Sequence, residues 1–198
     1  MRVLGVGGLS SGVGKTTVIC RLLAVLPGWG ALKTSIPHKD NPHAPGTGFD
    51  LIDDVERLER PGSDTARFTG SGAVRVLWLR SAPEALTAGI ETALQAFGDL
   101  PGVVVEGNSF AIHRKPDAFV LLARAGLRDV KRSTGRVAPM ADWLALNSPG
   151  GAGDPAEVAW LSRALGAPSA AVIVLDAESE TDQGTVRLCD EVRAWSRR

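Results

Sequence analysis

Apolar residues gather along the chain into short runs, each bounded by glycine, proline or polar residues. Seven runs recur, at residues 2–6, 31–36, 74–79, 103–106, 118–122, 143–147 and 171–175. Runs of this length between turn residues predict buried strands. Between most of them the spacing turns helical. Over residues 16–26, Val18, Ile19, Leu22, Leu23 and Leu26 fall on one face before Pro27-Gly28 ends the helix. Residues 83–97, 154–165 and 181–195 follow the same pattern.

Strand and helix alternating in this way predict an α/β fold, a mostly parallel sheet with helices on both faces. Ligands of such sheets gather beyond the carboxyl ends of the strands. A length of 198 residues fits one domain, 1–198, large enough to bury a sizeable core. Two long connections, 37–48 and 126–138, are rich in proline, glycine and charge, and loops of that length are usually functional or mobile. The first carries His38 and His43 without a third or fourth ligand at metal-like spacing, so it reads as a substrate-facing loop. Around the second, Arg124, Arg128, Lys131, Arg132 and Arg136 face a lone Asp129. That segment reads either as a grip on an anionic substrate or partner or as a solvated loop.

The 22 basic and 22 acidic residues cancel, so no overall field draws the molecule onto nucleic acid, and partners must be recognised locally. No apolar run is long enough to span a membrane. Val3-Leu4-Gly5-Val6 is followed at once by a Gly/Ser loop rather than by a signal core and cleavage site. Cys20 and Cys189 each fall inside a helical segment with no second cysteine nearby, which predicts free thiols in a reducing, cytoplasmic compartment.

The chemistry starts where the first strand meets the first helix. Gly7-Gly8-Leu9-Ser10-Ser11-Gly12-Val13-Gly14-Lys15-Thr16-Thr17 stands in the context a phosphate-binding loop requires. Glycines let backbone N–H groups converge on phosphate oxygens, and the helix N-terminus adds its partial positive charge. Ser11, Gly12, Val13, Gly14, Lys15, Thr16 and Thr17 are therefore the expected nucleotide-binding residues, with Lys15 on the terminal phosphates, Thr17 on an inner phosphate and Thr16 on Mg2+. One position departs from the strict pattern: Leu9 stands where the first glycine belongs, and Gly8 comes one residue early.

Three further carboxylates are candidates. Val103-Val104-Val105-Glu106 is an apolar strand ending in an anion, which places Glu106 in the Mg2+ shell or just outside it. Pro61-Gly62-Ser63-Asp64 reads as a turn feeding a helix, where Asp64, or Asp53 before it, could orient water or complete the metal shell. Asn147 ends another strand ahead of Ser148-Pro149-Gly150, so its amide either reads the edge of a nucleobase or simply forms the turn. Lys15, Asp64 and Glu106 form the expected catalytic set.

Ser11-Gly12-Val13-Gly14-Lys15-Thr16-Thr17, Lys33, Pro61-Gly62-Ser63-Asp64-Thr65, Gly72-Ala73 and Val105-Glu106-Gly107, in that order, resemble the molybdopterin-guanine dinucleotide biosynthesis protein B family. The resemblance covers roughly the first two-thirds of the chain. It implies a P-loop GTPase fold of the class that includes dethiobiotin synthetase, GTP and Mg2+ as ligands, and a homodimer. It further implies an accessory role beside a nucleotidyltransferase that attaches guanine nucleotide to molybdopterin. Lys33-Thr34-Ser35 stands where that family carries a histidine-rich stretch, and Asn108-Ser109 also departs from it, at the positions that face an acceptor. The same residues fit an ATP-dependent ligase or kinase resembling dethiobiotin synthetase, in which Lys33 would hold a carboxylate or phosphate intermediate. A nucleotide-dependent switch without catalysis is the third class the segments 37–48 and 53–64 allow.

Overall fold

The computed structural model describes residues 1–37, 48–166 and 171–198. His38 and His43 lie outside the described residues. The first half of the chain forms β1 (Arg2–Gly8), α1 (Lys15–Val25), β2 (Gly30–Ser35), β3 (Phe49–Ile52), α2 (Val55–Leu58), α3 (Asp64–Gly70), β4 (Val76–Ser81) and α4 (Leu86–Ala96). The second forms β5 (Gly102–Glu106), α5 (Asn108–His113), β6 (Ala118–Arg124), α6 (Arg132–Val137), β7 (Trp143–Asn147), α7 (Pro155–Leu165), β8 (Ala171–Leu175) and α8 (Gln183–Ser196).

The strands make one eight-stranded sheet in the order β3-β4-β2-β5-β1-β6-β7-β8. Every pairing is parallel except β3 with β4. Side chains alternate across the strands, so the apolar runs feed both faces of the sheet, in three clusters. Leu4, Val6, Ala31, Val104 and Val120 face α1, α3 and α8, whose Ile19, Leu22, Phe68, Leu188 and Val192 cover them. Val3, Leu32, Val103 and Val105 face the other way, onto Leu86, Ile90 and Leu94 of α4. Phe119, Leu121 and Leu144 meet Val137 of α6 and Leu161 of α7 on that same side.

The sheet holds one strand more than the seven apolar runs predict. Phe49-Asp50-Leu51-Ile52 is only four residues long, with an exposed Asp50, because it lies at the edge and pairs with β4 alone. The 126–138 connection is also not a bare loop, since α6 occupies its second half. β1 runs two residues further than predicted, through Gly7 and Gly8. A Cβ on Gly7 would stand 2.4 Å from Asn108 Oδ1 and 2.4 Å from the Phe119 ring, so only glycine lets those groups approach the strand.

The order of the sheet places β1 between β5 and β6, and the chain leaves β1 toward one edge before crossing to the other. This is the switch point at which open α/β sheets hold ligands. Leu9 follows directly; it is 2% exposed and packs with Ala111, Phe119 and Leu121. Its N–H donates to Leu122 O (2.8 Å) and its carbonyl accepts from Lys131 N (2.9 Å). Leucine in place of the motif's first glycine is therefore a core residue that anchors the loop. Leu9→Gly, which restores the strict motif, is expected to cost about 2–5 kcal/mol through the cavity it leaves. Urea unfolding of the two proteins measures this; a loss below about 1 kcal/mol would show that Leu9 is not an anchor.

Candidate functional site

Past Leu9 the backbone turns through Gly12 (φ 71°) and Gly14 (φ 95°), both in the left-handed region open to glycine. Helix α1 then begins at Lys15 with Gly14 as its N-cap and no side chain capping it. The first N–H groups of an α-helix have no partner within the helix, so an uncapped start at this place presents them to a ligand. The loop is held from three sides. Arg124 Nη1 donates to Gly12 O (3.1 Å) and Asn147 Nδ2 to Val13 O (3.1 Å), while the Asn108 amide accepts from Gly8 N (2.9 Å) and donates to Gly8 O (3.0 Å). With those carbonyls taken, the loop is preorganised to offer N–H groups to an anion.

The register of the sheet builds the polar cluster beside the loop. Glu106, the last residue of β5, pairs in register with Val6 of β1 and with Lys33 of β2. Lys15 Nζ stands 3.6 Å from Glu106 Oε1 and Lys33 Nζ 2.6 Å from Asp64 Oδ2. Thr16 Oγ1 donates to Asp64 Oδ1 at 2.9 Å. Burial works against the Asp64 carboxylate, but hydrogen bonds from Lys33 and Thr16, with the charges of Lys33 and Arg67, outweigh it and hold its pKa below the usual range. Glu106 goes the other way. Burial pushes its carboxyl up, Lys15 opposing and Asp64 reinforcing the shift. Its Oε2 is buried and has no hydrogen-bond partner.

An unpartnered buried oxygen is a place for a missing ligand. The donor set of the cluster, one hydroxyl and two carboxylates, is all oxygen and suits a hard cation such as Mg2+. Among the described residues no group of three or more His, Cys, Asp or Glu is arranged to hold a metal by itself. Mg2+ bound to a nucleotide takes only one or two protein ligands and shares the rest of its shell among phosphates and water.

The cavity over the loop has a volume of about 420 Å3. Gly12, Gly14, Lys15, Thr16 and Thr17 line it together with Arg67, Arg124, Asn147, Pro149, Asp176 and Glu178. A volume of this size suits a small ligand or cofactor. Val13 is fully buried and contributes only backbone, and Ser11 stands exposed at the tip of the loop. Thr17 Oγ1 accepts from Arg67 Nη2 (3.1 Å) and donates to Glu178 Oε1 (3.3 Å).

Two candidates sit differently from expectation. Asp53 does not join the cluster: it is exposed past the end of β3, whose antiparallel course carries the chain back from the carboxyl edge before α3 returns Asp64 to it. Asn147 is engaged at both ends of its amide, with Val13 O and with Ala177 N (3.1 Å). It ties the phosphate loop to the β8–α8 turn instead of projecting a free edge toward a base. The basic segment also divides. Arg124 joins the loop, Arg128 pairs with Glu157 (3.6 Å) and lies over Trp160, and Lys131 faces a different cavity.

Arg124, one of the basic residues singled out as a grip on an anion, lines the cavity; Arg67, Asp176 and Glu178 are cavity residues that sequence reasoning missed. Asp176 carried a readable signal, since it stands just past the carboxyl end of a strand. Arg67 carried none: it is one basic residue on a short helix.

A switch-point Gly-Val-Gly-Lys-Thr-Thr turn on a mostly parallel α/β sheet with helices on both faces defines the P-loop NTPase fold. Among solved structures, HypB from Helicobacter pylori in complex with nickel superposes with a TM-score of 0.62 at 13% identity, over 100% of this chain and 87% of that one. Identity this low speaks for the fold alone. No protein-family model and no curated protein matches the chain. No described helix is long and apolar enough to cross a membrane.

The Glu106 carboxyl titrates above its unfolded value in the folded protein, so its neutral form favours folding. That contribution is complete below the unfolded pKa and is lost as pH rises through the folded one. Glu106→Gln is accordingly expected to raise the melting temperature of nucleotide-free protein at pH 7, with the gain vanishing near pH 4. Thermal melts at both pH values check this; an unchanged or lower Tm at pH 7 would mean that Lys15 fully compensates the buried charge.

Proposed function

We propose that this chain binds a purine nucleoside triphosphate with Mg2+, guanine preferred, and hydrolyses it slowly as an accessory protein in molybdopterin guanine dinucleotide formation. The observation that carries the nucleotide reading is the uncapped start of α1 behind a loop whose carbonyls are already taken, with Lys15 at its mouth. Lys15 and the loop N–H groups bind the terminal phosphates, and Arg67 and Arg124 balance charge along the sides of the cavity. Thr16 with Asp64 or Glu106 would hold the Mg2+, which when bound neutralises charge on the phosphates. Lys33, now paired with Asp64, keeps that carboxylate ionised and in place.

Guanine preference rests on the family resemblance; among the residues lining the cavity Asp176 supports it, since a carboxylate accepts from both N1–H and the N2 amine of guanine while adenine offers one amine beside an acceptor. Slow turnover fits the cluster, because Asp64 is held by Lys33 and Thr16 and the one open carboxylate oxygen, Glu106 Oε2, is buried away from water. The molybdopterin setting, the nucleotidyltransferase partner, the homodimer and the cytoplasmic location rest on the resemblance of the Ser11–Thr17, Pro61–Thr65 and Val105–Gly107 segments.

An ATP-dependent ligase or kinase is the second reading, favoured by a second cavity that also reaches Lys15 and Glu106. Calorimetry with GTP and ATP, each with and without Mg2+, separates the two. The expected result is Mg2+-dependent binding of GTP at least tenfold tighter than ATP, abolished by Lys15→Ala. Equal affinity for the two bases would remove the guanine assignment, and no heat from either would remove the nucleotide reading.

A further inference from the structure

Two threonines follow Lys15, and their hydroxyls are spent in different ways. Thr16 gives its one proton to Asp64 Oδ1 at 2.9 Å, which leaves its lone pairs for a metal ion. Thr17 gives its proton to a carboxylate of the cavity, Glu178 Oε1, at 3.3 Å, and accepts from Arg67 Nη2 at 3.1 Å. A phosphate oxygen is an acceptor and needs that same proton. Glu178 therefore holds the donor that an inner phosphate would require, and sets a negative charge beside it.

The turn that carries Glu178 is fixed, while the side chain is not. Asp176 Oδ1 accepts from Glu178 N (3.1 Å) and Asn147 Oδ1 from the buried Ala177 N (3.1 Å). Arg21 of α1 grips the same turn, donating to Ala177 O (3.3 Å) and Glu178 O (2.9 Å) and pairing with Glu180. The Glu178 side chain is exposed to the cavity, and among the described residues its carboxylate accepts from Thr17 alone. A fixed backbone with one lightly tethered carboxylate lets the group leave Thr17 by side-chain rotation, with no rearrangement of the turn.

From this arrangement we infer that Glu178 is a built-in competitor for an inner phosphate, holding the Thr17 hydroxyl until the phosphate displaces it. The inference rests on the nucleotide reading and adds to it a residue that lowers affinity instead of supplying it. Arg67, already on the Thr17 hydroxyl, stays to meet the incoming charge. Glu178 weakens diphosphate and triphosphate binding alike, because a nearby carboxylate repels both. By returning to Thr17 as the diphosphate leaves, it favours product release. A carboxylate that instead bound the base or ribose would act with the opposite sign, tightening the complex.

Calorimetric titration of GDP and ADP, each with Mg2+, and of guanosine and adenosine, into wild type and Glu178→Ala reads that sign. The variant is expected to bind the preferred diphosphate about tenfold tighter and the nucleosides no better. Glu178→Gln, which keeps the shape and drops the charge, is expected to shift the same way, with Tm showing that both variants are folded. In a Thr17→Val background the gain from Glu178→Ala shrinks, because no hydroxyl is left to contest. Unchanged or weaker diphosphate binding by Glu178→Ala would overturn the inference, weaker binding marking the carboxylate as a nucleotide ligand. An equal gain for the nucleosides, or an undiminished gain in the Thr17→Val background, would overturn it as well. If neither diphosphate gives heat with wild type or with Glu178→Ala, the nucleotide reading fails and this inference with it. Binding without a gain removes only the role of Glu178, so the two failures are told apart.

Discussion

Everything near the site depends on a helix that begins without a cap. A side chain at the N-terminus of α1 would satisfy its first N–H groups and close the site; Gly14 supplies none, and its left-handed φ turns the backbone so that the donors converge. Donors left open in this way have to be supported from outside the loop. Asn147, Arg124 and Asn108 come from the ends of β7 and β6 and the start of α5 to hold Val13, Gly12 and Gly8. A Cβ on Gly14 would stand 2.5 Å from Asn147 Nδ2, so the glycine and the amide that supports it require each other.

Parallel register does the rest of the assembly. Because β1, β2 and β5 run the same way and pair Val6, Lys33 and Glu106 in one row, the residues just past their ends arrive together without any long-range adjustment of the loops. The far side of the cavity is made the same way, with Arg124 opposite Asn147 and Asn147 opposite Leu175, so that Asp176 follows immediately. One sheet edge thus brings the loop after β1 and the ends of β6, β7 and β8 to a single cavity by strand order alone.

The α/β class, the phosphate loop and the strand ending in Glu106 were legible in the chain because each is a local pattern: continuous apolar runs, a fixed spacing of Gly, Lys and Thr, and an anion at the end of a buried segment. β3 was not, since an edge strand of four residues needs only one apolar face and Asp50 breaks its run. Arg67 was not, because its value lies in a contact 50 positions away with Thr17. Asp53 and Asp64 were indistinguishable as residue types in one segment; the reversal of direction at β3 separates them, and direction is invisible until the pairing is known. For Asn147 the choice between base and turn depended on Val13 and Ala177, both distant in sequence.

Glu106 sits where these constraints conflict. Its pKa is raised by burial, one of its oxygens is buried without a partner, and the residue stands beside Lys15. Stability alone would remove such a group, because an apolar or amide side chain of similar size would avoid the desolvation. Residues that cost stability and are held so tightly are the ones whose ligand is absent from the folded chain itself. Lys15 does not satisfy it, since its ammonium stands 3.6 Å from the other oxygen and leaves Oε2 without a partner. On the proposed nucleotide reading, a cation carried in with the triphosphate would supply the charge that burial denies this carboxylate, and the cost of keeping Glu106 in the folded chain would be offset only when the ligand is bound.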